Sequence, residues 1–143
     1  MNLSVEHMGL AARDPVALRD WYVRALAARE IFRDDKLPPA FLLELAGGLV
    51  IEIYPAEAPG AESGNNKLAG WRHLALRVGS IETARDELTR RGVSFEQPVK
   101  PAGGGGRVLF FKDGEGNLLH LVERTGSAAF VAQTRAGAAG SAR

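Results

Sequence analysis

His7, Glu52, His73 and His120 are the side chains of this 143-residue chain whose types and spacing could do chemistry. His7 in SVEHMGLAA and His73 in GWRHLALRV stand 66 positions apart; Glu52 in LVIEIYP and His120 in NLLHLVER stand 68 apart. The chain has no other histidine. A lone histidine on a strand is ordinarily structural. Here all three fall in the register of an internal repeat, with a carboxylate in the fourth slot, which points to one metal held between two similar modules. Imidazole and carboxylate ligands without thiolate suit Zn, Fe, Mn, Co or Ni. Four of them can close a tetrahedral shell, or leave two adjacent positions open on an octahedral ion for a chelating substrate. Three neutral imidazoles and one carboxylate leave a net +1 on a divalent ion, which favours an anionic substrate. Glu52, the one carboxylate of the set, could leave the ion and act as a base.

The elements that must position these four residues repeat in order. LSVEHMGLAA reads as a strand. Asp14-Pro15 opens a helix, with Asp14 as N-cap and Pro15 in the first helical position. The apolar stripe of this helix is Leu18, Trp21, Tyr22, Ala25 and Leu26. Three strands follow, around Ile31-Phe32, in AFLLEL and in LVIEIY, with Gly47-Gly48 turning the second into the third. The second half runs RHLALRV, a helix capped by Ser80 and closed by Gly92, then VSFEQ, RVLFFK and NLLHLVE. Each half is therefore β-α-β-β-β, and the predicted class is α+β: two βαβββ modules forming a curled mixed sheet around a central cup. Side chains alternate faces along a strand. Met8 and Leu10 thus lie opposite His7; Leu74, Leu76 and Val78 opposite His73; Leu49, Ile51 and Ile53 opposite Glu52; Leu119 and Leu121 opposite His120. Each strand offers an apolar face to its helix and turns its polar residue the other way, so the four converge if the sheets curl.

Further candidates are substrate contacts. Tyr54 shares the face of Glu52 and could hydrogen-bond a ligand or simply wall a pocket. Arg77 shares the face of His73 and could take a carboxylate, against the plainer reading of a solvated sheet edge. Arg107 follows Gly103–Gly106, read as a flap at the cup rim, and could close over an anion. That glycine run is not a phosphate loop, since no Gly-Lys-Ser/Thr follows. Trp21 and Tyr22 read as core anchors of an amphipathic helix.

Composition limits the function classes. An apolar fraction of 45% and a charged fraction of 24% are ordinary for a globular protein. A net charge of +1 with scattered arginines favours neither nucleic acid nor an anionic membrane. The absence of cysteine excludes disulfides, thiolate metal sites and a cysteine nucleophile. A strand pattern at the very N-terminus leaves no room for a signal peptide, and no apolar run reaches membrane-spanning length; a cytoplasmic protein is expected. Residues 55–70, rich in Gly, Pro and polar side chains, read as a linker between modules 1–54 and 71–124. Residues 125–143 form a tail of mostly Ala, Gly, Ser and Arg, in which Phe130 and Val131 could dock on a surface.

The segments HMGLAARDPVALRDWYVRAL, LVIEIYP, RHLALRV and FFKDGEGNLLHLVE resemble the vicinal oxygen chelate superfamily, which includes glyoxalase I, methylmalonyl-CoA epimerase, fosfomycin and bleomycin resistance proteins and extradiol dioxygenases. The resemblance covers residues 3–124 and implies one glyoxalase-like domain with metal ligands on the first and last strands of each module. Those positions are His7, Glu52, His73 and His120. It also implies one divalent metal ion, a small-molecule substrate and modules that pair within a chain or across a dimer; a homodimer is expected. The activity expected is that of a metal-dependent lyase or isomerase on a small oxygen-chelating substrate. The alternatives are a metal-dependent dioxygenase and a non-catalytic drug or metabolite binder of the bleomycin resistance type. Two departures stand out. His120 replaces the glutamate that glyoxalase I and the epimerases usually carry on the last strand, and Leu26-Ala27 replaces the usual Leu-Gly after the first helix.

Overall fold

The computed structural model of the protein describes residues 1–60 and 62–125. The first module comprises β1 (Met8–Ala12), α1 (Pro15–Leu26), β2 (Arg29–Arg33), β3 (Phe41–Glu44) and β4 (Val50–Pro55). The second comprises β5 (His73–Arg77), α2 (Ile81–Arg90), β6 (Lys100–Pro101), β7 (Arg107–Lys112) and β8 (Leu118–Glu123). Each module is a four-stranded mixed sheet, ordered β1-β4-β3-β2 in the first and β5-β8-β7-β6 in the second. β1 runs parallel to β4 and β5 parallel to β8, and the remaining pairs are antiparallel. The parallel pairing follows from the helical crossover, which returns the chain to the same end of the sheet.

Both helices start where their capping residues place them. Asp14 accepts the Ala17 N–H at 2.9 Å, and Ser80 accepts the Thr83 N–H at 3.2 Å. α2 is followed by Gly92 at φ +84°. α1 instead ends on Ala27 in the left-handed region, φ 53° and ψ 33°, which carries a Cβ penalty that glycine avoids. The VSFEQ segment forms no strand. Val93 is buried and Phe95 packs on Phe111 at 5.4 Å between ring centroids, but pairing with β7 is confined to Lys100–Pro101. Pro98 and Pro101, which follow that segment, withhold the N–H groups a longer ladder needs.

The helical sides of the two sheets share one core. Leu18, Phe41, Leu43 and Ile53 of the first module and Ile81, Leu109, Leu119 and Leu121 of the second belong to it. The turn Asp113–Asn117 joins the modules. Asp113, the buried charged residue of the described chain, accepts hydrogen bonds from Tyr22 Oη at 3.1 Å and from Asn117 Nδ2 at 2.8 Å. Its Oδ1 also accepts the backbone N–H groups of Glu115 and Asn117. Trp21 lies against the backbone of Gly114, where an added Cβ would stand 3.3 Å from the indole. The Glu115 carboxylate accepts the N–H groups of Arg13 at 3.0 Å and Asp14 at 2.8 Å at the entry to α1. At the other end of the helices, Arg91 Nη1 donates to the Ala25 carbonyl and Arg24 Nε to the Arg91 carbonyl. Among the described residues no helix is long and apolar enough to cross a membrane.

Candidate functional site

Strand register decides which side chains share a face. Gly9 stands beside Glu52, and Ala11 beside Tyr54. In the second module Ala75 stands beside His120, and His120 opposite Phe110. The alternation expected for the candidate ligands holds in β4, where Ile51 and Ile53 are buried and Glu52 is half-exposed; in β8 Leu119 and Leu121 are buried opposite a half-buried His120, but Leu118 and Val122 on its own face are buried as well.

The structure brings the four candidates together as two pairs. In the first, His7 sits immediately before β1 with its Nε2 3.4 Å from Glu52 Oε2, and its Nδ1 is hydrogen-bonded to the Glu6 carboxylate. In the second, the rings of His73 and His120 lie 4.6 Å apart, and Phe110 stands edge-on to both, 5.9 Å from His73 and 4.8 Å from His120. His73 Nδ1 is 2.8 Å from Asn66 Oδ1. The two pairs do not meet within the chain. Among the described residues no group of three or more His, Cys, Asp or Glu side chains is gathered in one place. Each pair belongs to the sheet of its own module, His7 and Glu52 at β1–β4 and His73 and His120 on β5–β8.

The pairs differ in electrostatics. The His7 pKa is raised, chiefly by its hydrogen bond to Glu6, with Glu52 adding to the effect. His120 is pushed down to about 4, first by burial and then by the neighbouring His73 and Arg124. It is therefore neutral at physiological pH, and its Nδ1 is buried with no hydrogen-bond partner among the described residues.

Each pair offers the kinds of donor that a metal ion takes. A buried imidazole nitrogen without a partner is costly unless something takes its lone pair. The 3.4 Å between His7 Nε2 and Glu52 Oε2 is close to the separation that two donors keep on one ion, given bonds of about 2.1 Å. His7 and His73 each have Nδ1 engaged by an oxygen, which is how metal-bound histidines are usually oriented.

The remaining candidates fare unequally. The Tyr54 ring lies over Gly9, where an added Cβ would come within 3.3 Å of Cε1; this keeps the phenol on the Glu52 face. Arg77 is on the His73 face by register, with its side chain exposed. Arg107 does not reach over the cup as expected. Its guanidinium is held by Glu82 at 2.6 Å and Glu123 at 2.9 Å. Glu123 stands directly opposite Arg107 in the β7–β8 register, and Glu82 lies in the first turn of α2. Arg107 lowers Glu82 to about 2. The Gly103–Gly106 run is likewise engaged: Arg124 donates to the carbonyls of Gly103 and Gly105, and Gly106 approaches the Glu123 carbonyl so closely that a Cβ would stand 2.0 Å from it. The Phe130–Val131 contact considered above lies outside the described residues. Sequence reading did not find Asn66 or Phe110. Phe110 was legible as the partner of His120 once RVLFFK and NLLHLVE were paired; Asn66 carried no signal.

Comparison with known proteins agrees with this architecture. The model of the Glyoxalase/Bleomycin resistance protein/Dioxygenase superfamily matches residues 4–121. The uncharacterized protein YwkD of Bacillus subtilis (strain 168) is 30% identical over 124 residues, covering 85% of this chain and 97% of its own length. A glyoxalase family protein from Enterococcus faecalis superposes with a TM-score of 0.71 at 24% identity, over 84% of this chain and 97% of the other. A mutant of the fosfomycin resistance protein FosX from Listeria monocytogenes, complexed with Mn(II) and 1S,2S-dihydroxypropylphosphonic acid, superposes with a TM-score of 0.64 at 21% identity, over 87% and 93%. With two repeated βαβββ modules and a family match running from before His7 to beyond His120, the chain belongs to the glyoxalase/bleomycin resistance/dioxygenase superfamily, the vicinal oxygen chelate proteins.

Proposed function

We propose that the protein is a metal-dependent lyase or isomerase acting on a small oxygen-chelating substrate, with its metal site completed across a homodimer. The observation that carries this reading is the division of the ligand set into His7–Glu52 and His73–His120, each on its own sheet. Each half-set also lies beside a strand at the edge of its sheet among the described residues, β1 in one module and β5 in the other. Unpaired edges with exposed flanking side chains are surfaces a partner covers. Met8 at the start of β1 is exposed, and Trp71, two residues before His73, is 89% exposed. A two-fold axis that sets β1 of one protomer beside β5 of the other would face the half-sets across one cup, twice per dimer.

In that cup His7, Glu52, His73 and His120 would hold one divalent ion. Bound there, the ion would polarise the oxygens of a chelated substrate. Glu52 is the carboxylate placed to take a proton from the carbon next to the chelating oxygens. Phe110 fixes the planes of the two second-module imidazoles by edge contact. Neutral His120 donates its lone pair without competition from a proton at pH 7. Mn(II) on FosX, a protein of the same fold, supports a first-row divalent ion here.

Mixing tests the composite site. His7→Ala and His73→Ala homodimers should each bind little metal. When they are mixed and allowed to exchange subunits, about a quarter of the sites should regain binding. Random pairing makes half the dimers mixed, and each mixed dimer carries one site with both histidines intact. No recovery in a sample shown by mass spectrometry to contain mixed dimers would place both half-sets in one chain and defeat the reading.

A further inference from the structure

We infer that Asn66, in the linker between the modules, is a positioning residue for His73: it holds the imidazole proton on Nδ1 and so presents Nε2 as the metal donor. The inference rests on the metal reading proposed above. Asn66 Oδ1 is 2.8 Å from His73 Nδ1. A neutral imidazole has one N–H and one lone pair, so an oxygen acceptor at Nδ1 places the lone pair at Nε2. The ring cannot easily turn away from this contact, because His120 lies 4.6 Å off and Phe110 5.9 Å off, measured between ring centroids.

The linker is built to hold Asn66 in place. Ser63 Oγ donates to Asn117 Oδ1 at 2.6 Å. Gly64 packs so tightly on the β7–β8 turn that a Cβ there would be 2.9 Å from the Gly116 carbonyl. Asn65 Oδ1 accepts the Lys67 N–H at 3.0 Å, which folds the turn around Asn66 without using the Asn66 side chain. The same turn that carries Asn117 leads directly into β8 and His120. One anchored turn therefore sets the orientation of His73 and the start of the strand that bears its companion. The first module lacks such a device: His7 is oriented by Glu6, its own chain neighbour.

The test uses the full-length protein without metal and then with Mn(II) or Zn(II). Nitrogen-15 correlation spectra of the three histidines at pH 8 report which ring nitrogen carries the proton. Wild-type His73 should be protonated on Nδ1. Asn66→Ala should shift it toward the Nε2–H form, and Asn66→Asp, which keeps an acceptor oxygen, should preserve Nδ1–H. Calorimetric metal titration should show Asn66→Ala weakened about 10–100-fold and Asn66→Asp within a few-fold of wild type. A merely structural role would make both variants alike. His73 found protonated on Nε2 in the wild type, or metal affinity unchanged in Asn66→Ala despite a tautomer shift, would overturn the inference. Absence of metal binding by the wild type, with the tautomer shift present, would instead locate the failure in the metal reading.

Discussion

The two modules share one chain order and one strand register, yet they treat their polar faces differently. In the first, a histidine and a carboxylate stand half-exposed within 3.4 Å of each other. In the second, two histidines and a phenylalanine form an aromatic cluster, and Val108, Leu118 and Val122, on the face of His120 by register, are buried. His7 is exposed beside carboxylates that raise its pKa, whereas burial lowers that of His120. Duplication of a fold fixes where side chains can stand. Local burial and charge then decide what each copy can do there.

The largest expected effects come from breaking each pair. His7→Ala, His73→Ala and His120→Ala should each lower metal affinity by at least about 100-fold, because the remaining donors cannot complete a shell. Glu52→Gln should keep part of the affinity and lose about 10²–10⁴-fold in turnover, once a substrate is found, if Glu52 is the base. Equal metal content in wild type and the three alanine variants, by elemental analysis, would end the metal reading.

Next come the loops. Gly106→Ala should destabilise by about 2–4 kcal/mol in urea unfolding, since a Cβ there meets the Glu123 carbonyl at 2.0 Å and φ is +95°. Gly48→Ala in the first module, with φ +85° but open space around it, should cost only the backbone strain, about 1 kcal/mol. Similar losses would mean that the glycine-rich turn of the second module is not the tighter one. Asp113→Ala, which strands the Tyr22 hydroxyl and two backbone N–H groups at the junction, should cost about 2–3 kcal/mol.

The pH dependence of the metal-free protein should carry opposite signs in the two halves. His120, near 6.5 when unfolded and about 4 when folded, takes up a proton more readily in the unfolded chain. Its contribution is intact above pH 6.5 and is lost as pH falls toward 4. His7, raised by Glu6 and Glu52, contributes stability below its unfolded value that disappears as pH rises through its folded one. Urea midpoints of His120→Gln should therefore fall less than wild type on acidification. Those of His7→Gln should lose less than wild type as pH is raised. Smallest of all, Ala27→Gly should add about 0.5–1 kcal/mol by relieving the left-handed alanine that ends α1, where α2 already has Gly92.

Much of this was legible in the residues. Asp14 and Ser80 announced both helix starts, and alternation in LVIEIY and NLLHLVE put Glu52 and His120 opposite buried Ile and Leu. The separation of the ligand pairs was not legible. Alternation gives the face of a strand but not the sheet it confronts, and the pattern is the same whether modules join within a chain or between chains. Arg107 was misjudged for want of register: its partner Glu123 lies directly across from it, visible only once β7 and β8 are aligned. VSFEQ has the alternation of a strand, yet Val93 is buried and Phe95 packs on the core without a ladder.

The Glu115 carboxylate at the entry to α1 has a consequence for how the protein is made. The backbone N–H of Asp14 is satisfied by a side chain 101 positions downstream. At a synthesis rate of about 5–20 residues per second, that partner leaves the ribosome roughly 5–20 seconds after the segment that waits for it. Until then the N–H groups of Arg13 and Asp14 have only water, and Trp21 lacks the Gly114 backbone it rests on. The nascent first half is left with an uncovered apolar flank until the turn between β7 and β8 emerges and closes it.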